Sequence, residues 1–364
     1  MVNGNNSNPI RFGASDLFAR YDLDLIWIKG LATIKYLAGF TGSTANLLVS
    51  PDKKQILCVD GRYTTQAQEE CKGTKVVEIQ KPIEDLCAKA RELGAKTLGF
   101  EANQATYADF ALLQKELPGV TLAPIEENLA CLRIVKKPLE LQKLRRANAL
   151  AHQAFTDLVG VLRPGMTEKE AAWFIDRRFR ELGGAGNSFE TLICAGPRSA
   201  IVHGKPTERK FQTGDFIIID RGVIADHYVS DETNTFVLGR ADAKQREVYQ
   251  VVKDAHDKCI EAVKPGMSCV DLDAVAREYI RQKGFGDFFG HGTGHGVGLE
   301  VHEQPVISPR GSGWIEEGMV FSVEPGVYIP DWGGVRVEDV VVVTKDGCDI
   351  LTPADKNQYE LKVE

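Results

Sequence analysis

No apolar run in this chain approaches the roughly 20 residues that a helix needs to cross a bilayer. Basic residues form no cluster that could face phosphates, and a formal net charge of −7 works against a nucleic-acid partner. The N-terminal stretch Met-Val-Asn-Gly-Asn-Asn-Ser-Asn-Pro-Ile has neither the charged nor the apolar part of a secretory signal. Cys58, Cys71, Cys87, Cys131, Cys194, Cys259, Cys269 and Cys348 include no Cys-x-x-Cys pair. That excludes zinc-finger spacing and a small disulfide scaffold, and the expectation is reduced thiols in a cytoplasmic protein. Histidine is scarce too, with seven in 364 residues.

Three of those seven fall in one stretch, His291-Gly-Thr-Gly-His295-Gly-Val-Gly-Leu-Glu-Val-His302-Glu303. Glycine lets a backbone pass close to a ligand or another strand. Histidine is the side chain best suited to bind metal or carry a proton near neutral pH. A single Gly-His pair reads as a tight turn with a solvated ring. At this density the stretch reads as a strand or loop lining a reaction centre, whose partners must come from elsewhere in the chain.

The first third alternates strand and helix signals. Leu25 to Lys29 alternates apolar and polar residues, and Asn46 to Ser50 and Gln55 to Asp60 flank Pro51-Asp-Lys-Lys54 as a hairpin would. A helix follows from Tyr63 to about Cys71, a strand at Val76 to Ile79 and a helix from Pro82 to about Leu93. A strand at Thr97 to Glu101 and a helix from Tyr107 to about Glu116 continue the pattern. This predicts an α/β domain with a mostly open sheet over residues 1–133. Gly39-Phe-Thr-Gly42-Ser lacks the Gly-Lys-Ser/Thr ending of a phosphate loop and reads as a turn.

A boundary falls near Arg133-Ile-Val-Lys-Lys-Pro138, so the second domain spans 134–364. Leu141, Leu144, Ala147, Ala151, Phe155 and Leu158 form one apolar helical face, and Thr167 with Glu170 forms a capping box for the next helix. This domain says everything twice. Pro164-Gly-Met-Thr and Pro265-Gly-Met-Ser each open a helix, closing at Gly183 and Gly284. His203 stands three residues before Pro206, as His302 does before Pro305. Thr213-Gly-Asp-Phe-Ile-Ile-Ile-Asp220 matches Glu317-Gly-Met-Val-Phe-Ser-Val-Glu324, and Asp231 and Glu338 close the two copies. Two similar α/β halves predict a pseudo-symmetric domain with its site between them.

Asp220 and Glu324 end apolar runs, while Asp231 and Glu338 lie in apolar-rich strands expected at Tyr228 to Leu238 and Gly334 to Val343. Uncompensated buried carboxylates cost several kcal/mol. Arg221 and Arg336 are close enough in sequence to pair with some of them. For four carboxylates placed symmetrically around a histidine-rich stretch, a shared cation cluster explains more. Hard oxygen donors with one or two imidazoles suit Mn²⁺ first, with Co²⁺ or Zn²⁺ also possible. Bridging carboxylates suit two ions about 3.5 Å apart, and hence hydrolysis of an amide or ester.

These residues resemble the ligand set of the "pita-bread" metallopeptidases: Asp220 and Asp231, His295, Glu324 in Glu-Pro-Gly, and Glu338 in Gly-Val-Arg-Val-Glu-Asp. His-Gly-Thr-Gly-His-Gly-Val-Gly-Leu-x-Val-His-Glu-x-Pro is similar to the proline-specific branch, which holds Xaa-Pro aminopeptidase and Xaa-Pro dipeptidase (prolidase). Tyr36-Leu-Ala-Gly-Phe-Thr-Gly is similar to that branch's creatinase-like N-terminal domain, whose roles there are oligomerisation and substrate gating. The resemblance implies that Asp231 and His295 serve one ion, that Asp220 serves the second, and that Asp231 and Glu338 bridge them. It implies that Glu324 is a ligand that also takes a proton from the attacking water, a metal-bridging hydroxide being the nucleophile. His302 and His203 would contact the scissile carbonyl and the proline side, His291 would line the pocket, Arg336 would support the carboxylates, and Tyr328 would lie near the metals.

The implied activity is removal of an N-terminal residue from peptides with proline second, as an Xaa-Pro aminopeptidase acting as a homodimer. An Xaa-Pro dipeptidase restricted to dipeptides is the alternative. A creatinase-like amidinohydrolase or a peptide-binding pseudo-peptidase would have shed ligands that are present here. Two departures stand out. The family often reads Asp-x-Thr-Arg-Thr where this chain has Asp231-Glu-Thr-Asn234-Thr, and Arg221 replaces a small or apolar residue. His203 is followed by Gly204 rather than by a second histidine.

Overall fold

A computed structural model of the chain describes residues 8, 10–11 and 13–362. It divides into two compact units, one running to Arg133 and one from Ile134 onward that also takes in Asn8 and Ile10. Among the described residues no helix is long and apolar enough to cross a membrane. All eight cysteines are free thiols.

The first unit is built on a six-stranded sheet. Its strands run in the order Lys75–Glu78, Gln55–Val59, Asn46–Val49, Leu25–Ile28, Thr97–Glu101, Thr121–Ile125. The hairpin forms as the Pro51–Lys54 turn requires, pairing Asn46 with Cys58 and Val49 with Gln55. Helices Thr64–Glu70, Pro82–Glu92 and Tyr107–Glu116 lie where periodicity placed them. Trp27, Leu48, Leu86, Leu98 and Leu113 pack as a core between sheet and helices. Gly39 is the left-handed cap ending the helix Leu31–Ala38, so its loop is a turn. That helix and Ala14–Tyr21 span only eight residues each, too short for periodicity to declare them. Strand Thr121–Ile125 holds Pro124, which an edge strand tolerates and which hides the strand from a sequence reading.

The second unit repeats one design: two helices, then a sheet. Helices Pro138–Val159 and Glu168–Glu181 precede a sheet ordered Glu360–Leu361, Glu232–Leu238, Phe216–Arg221, Leu192–Ala195. Helices Ala243–Ala262 and Cys269–Gln282 precede one ordered Glu303–Ile307, Gly294–Gly296, Val320–Val323, Asp339–Val343, Cys348–Ile350. The correspondence reaches single hydrogen bonds. Gly165 N–H donates to Phe211 O at 2.9 Å, and Gly266 N–H to Ile315 O at 2.8 Å. Phe211 N–H returns to Met166 O at 2.9 Å, and Ile315 N–H to Met267 O at 2.8 Å. Thr167 and Ser268 cap equivalent helices, and each forms an isolated bridge, to Lys210 and Trp314 respectively. Helix Ala243–Ala262 was not anticipated, although Asp242 and Gln245 form the capping box that announces it.

One expectation is corrected here. Tyr228 to Leu238 is not a single strand but Tyr228–Val229 and Glu232–Leu238, with Asp231 in the break. Gly334 to Val343 likewise divides into Gly333–Arg336 and Asp339–Val343, with Glu338 in the break. In both places the chain changes sheets. Tyr228–Val229 pairs with Val223–Ala225, whereas Glu232–Leu238 pairs with Phe216–Arg221. Gly333–Arg336 pairs with Gly326–Ile329, and Asp339–Val343 with Val320–Val323. Each carboxylate stands where the backbone turns out of one ladder into another, which frees its side chain from strict up-down alternation.

Candidate metal centre

The apolar run Phe216–Ile219 makes a fully buried strand that carries Asp220 inward at its end. Val320–Val323 does the same for Glu324, whose N–H donates to Thr293 O at 2.7 Å. His295 is the middle residue of Gly294–Gly296. The flanking glycines are sterically required. A Cβ at Gly294 would lie 1.8 Å from Ser322 O, and one at Gly296 2.0 Å from Gln304 O. The strand is pressed between two backbones, and only the His295 side chain has room to project.

One atom each from Asp231, His295 and Glu338 lies within 4.8 Å of the other two. His295 Nε2 sits 3.3 Å from Glu324 Oε1 and 3.6 Å from Asp231 Oδ2. Arg336 organises the other side. Its Nη2 donates to Asp220 Oδ2 at 2.6 Å, Nη1 to Tyr328 Oη at 2.8 Å, and Nε to Thr233 Oγ1 at 2.9 Å. The Thr233 hydroxyl then donates to Glu338 Oε2 at 2.7 Å. Tyr328 Oη also lies 2.9 Å from His291 Nε2. The ring centres of His295 and His302 are 4.3 Å apart.

Burial first, then the Arg336 charge for His291 and the His295 charge for His302, lowers the pKa of both rings. Nine of the ten residues singled out from sequence thus meet in one network, and the tenth, His203, is exposed on its loop.

Of the two arginines that could have neutralised these carboxylates, only Arg336 takes one. Arg221 turns away to Glu232 Oε2 at 2.7 Å and Asn234 Oδ1 at 2.7 Å. The two departures from the family pattern therefore meet each other, since the cation at 221 serves the strand position where the family often has arginine. Thr233, Ser322 and Asp273 were not singled out. Ser322 Oγ accepts from His295 N–H at 3.1 Å, and Asp273 Oδ1 accepts from Thr293 N–H at 3.0 Å. Thr233 stands two residues after Asp231 in a strand buried throughout. Asp273 had no signal beyond its four-residue spacing to Arg277, which it binds.

The charge balance is lopsided. Burial, then repulsion from Glu338, Asp220 and Glu324, holds the Asp231 carboxyl well above the usual range. Burial raises Asp220, with Glu324 adding to the rise and Arg336 opposing it. Burial and repulsion from Glu324 and Asp220 push Glu338 up to about 8. For Glu324 burial is outweighed by His295, which holds it down at about 2, and His295 in turn is raised to about 9. Buried Asp220 Oδ1 has no hydrogen-bond partner at all. Crowded hard oxygens, one imidazole and an orphaned carboxylate oxygen fit divalent cations, which would relieve the repulsion that the side chains alone do not.

The description "Metallopeptidase family M24" matches residues 142–345, and "Creatinase/Prolidase N-terminal domain" matches residues 13–135. This chain belongs to metallopeptidase family M24. Its relatives include an Xaa-Pro dipeptidase of Pyrococcus furiosus, 33% identical over 92% of this chain and 94% of that one. Among solved structures, the Xaa-Pro dipeptidase from Bacillus anthracis has a TM-score of 0.91 at 34% identity, covering 95% of this chain and 97% of the other. An X-Pro aminopeptidase from Thermotoga maritima has a TM-score of 0.86 at 34% identity, covering 95% and 99%. The fold is therefore the creatinase-like domain followed by the pita-bread domain of that family.

A pH dependence follows for the metal-free protein. Glu338 takes up its proton near pH 8 when folded and near the ordinary glutamate value when unfolded. Its contribution to stability is full below the unfolded value and is lost as pH rises towards 8. Asp220, Asp231 and the raised His295 have the same sign. Glu324 has the opposite sign, losing its contribution only as pH falls from the ordinary value towards 2. After chelation, Tm should fall between about pH 5.5 and pH 8, and added Mn²⁺ should raise it more at the higher pH, where ligands are deprotonated. Flat profiles in calorimetry, with and without Mn²⁺, would count against a cation centre.

Proposed function

We propose that the chain is a divalent-metal-dependent Xaa-Pro dipeptidase. The observations that carry the metal part are the cluster of Asp231, His295 and Glu338, with Glu324 3.3 Å from His295, and the unpartnered buried oxygen of Asp220. Asp220, Asp231, His295, Glu324 and Glu338 would hold two ions, Mn²⁺ first and Co²⁺ or Zn²⁺ next. Such ions, when bound, acidify water and polarise the scissile carbonyl.

The remaining work falls to the chain. Glu324, carried into the site at the end of Val320–Val323, is the base that accepts a proton from the attacking water. His302, whose pKa burial lowers, is neutral at pH 7 and hydrogen-bonds the carbonyl oxygen as charge develops there. His203 approaches from the exposed loop towards the proline side. Arg336 and Tyr328 hold Asp220 and His291 in place by the bonds described above.

The choice of dipeptides over longer peptides rests on relatives. The Xaa-Pro dipeptidase name recurs among them, in two Pyrococcus species and Lactobacillus helveticus and in the Bacillus anthracis structure. This turns the reading away from the aminopeptidase favoured on sequence alone, whose support is the Thermotoga maritima structure. Ala-Pro and Ala-Pro-Ala, each with Mn²⁺, separate the two. Cleavage of Ala-Pro alone is expected. Alanine released from the tripeptide would make it an aminopeptidase, and no cleavage of either would remove the peptidase reading.

A further inference from the structure

Three of the proposed ligands are each followed by a charged residue: Asp220 by Arg221, Asp231 by Glu232 and Glu338 by Asp339. These three successors are buried and are linked into one network, Arg221 to Glu232 directly and Glu232 to Asp339 through Lys356. Arg221 Nη2 donates to Glu232 Oε2 at 2.7 Å, and the two residues are direct cross-strand partners. Lys356 Nζ pairs with Glu232 Oε1 and lies 3.2 Å from Asp339 Oδ1. His256 Nε2 lies 3.2 Å from Asp339 Oδ2. The Arg221 guanidinium stacks 3.8 Å from the centre of the Phe155 ring. Two cations and two anions thus balance in an interior that solvent barely reaches, Lys356 being 7% exposed and Arg221 0%.

Stability alone does not call for this arrangement, because apolar side chains of equal volume often serve a core as well as a buried ion network does. The network has a geometric property that an apolar core lacks. Glu232 belongs to the four-stranded sheet and Asp339 to the five-stranded one, so Lys356 spans the two halves one residue away from Asp231 and from Glu338. Directed bonds from a single ammonium to Glu232 and Asp339 tie those two strand ends to one point.

We propose that Lys356 and Arg221 are positioning residues for the metal centre, fixing from behind the spacing of Asp220, Asp231 and Glu338. The inference rests on the metallopeptidase reading. Groups that orient ligands from outside the coordination sphere typically change metal affinity by about 10- to 100-fold when removed.

The test uses the full chain with Mn²⁺ alone as probe, reading its Kd by calorimetry, the metal-free Tm, and kcat and KM on Ala-Pro. Lys356→Met, unbranched and uncharged, should weaken Mn²⁺ binding at least about tenfold and lower kcat, with KM changed less than about threefold. Lys356→Arg, which keeps the charge, should restore both. If Lys356→Met does not fold, the double variant Lys356→Met with Glu232→Gln keeps the remaining charges balanced and should show the same loss. Wild-type Mn²⁺ affinity in the folded variant, single or double, overturns the inference, as does a folded Lys356→Arg with no rescue. Wild-type protein that binds no Mn²⁺ and cuts no Ala-Pro removes the metallopeptidase reading instead, so the two failures are distinguishable.

Discussion

Glu324→Gln should slow Ala-Pro hydrolysis at least about a thousandfold while leaving a folded protein. The substitution keeps the size and one hydrogen-bond acceptor but removes the negative charge that His295 holds at a pKa of about 2. A neutral amide cannot take the proton of the attacking water, and it donates one fewer lone-pair oxygen to a cation. His295 loses a hydrogen-bonding partner 3.3 Å away, but its Nε2 keeps its place beside Asp231 and Glu338 as a ligand. The fold should therefore survive. Stopped-flow or end-point release of proline against Mn²⁺ concentration provides the measurement. Activity within tenfold of wild type at saturating Mn²⁺ would take Glu324 out of the mechanism and leave it, at most, a ligand.

His302→Ala should lower kcat by about a hundredfold to a thousandfold with a smaller change in KM, the signature of a contact made mainly in the transition state. The ring lies 4.3 Å centre to centre from that of His295, on an exposed residue, and desolvation, then the His295 charge, lowers its pKa. Removing it opens space without stranding a charge, so stability should change little. Mn²⁺ stoichiometry should be unaltered, which separates this loss from that expected at a ligand. If kcat stays within threefold of wild type, the carbonyl contact moves to His203, and His203→Ala becomes the variant that should carry the loss.

How far the sequence revealed this arrangement depends on whether a feature is local. Asp220 and Glu324 were visible because each ends an apolar run, and a carboxylate there demands an explanation whatever the fold. His295 was visible because its glycine neighbours leave a signature, which the structure explains by backbone clashes that any Cβ would meet. The repeat was visible because the same turn and cap recur in order. The strand breaks at Asp231 and Glu338 were not visible, since neither holds a glycine or proline and only sheet partners reveal where the ladder changes. Lys356 was invisible for a stronger reason. It meets Glu232 across 124 positions, and nothing near it in sequence announces a buried cation. Arg221 and Asn234 could be flagged as departures but not seen to touch, because that needs the register placing Asn234 opposite Ile219.

The doubled design has a consequence for how the protein comes into being on the ribosome. The first half supplies Asp220 and Asp231, and the second supplies His295, Glu324 and Glu338. A chain made only as far as Leu238 holds two acids of the proposed set and none of its imidazoles. The set is complete only once translation has passed Glu338, so all but the last short stretch of the polypeptide must exist before the proposed centre can form.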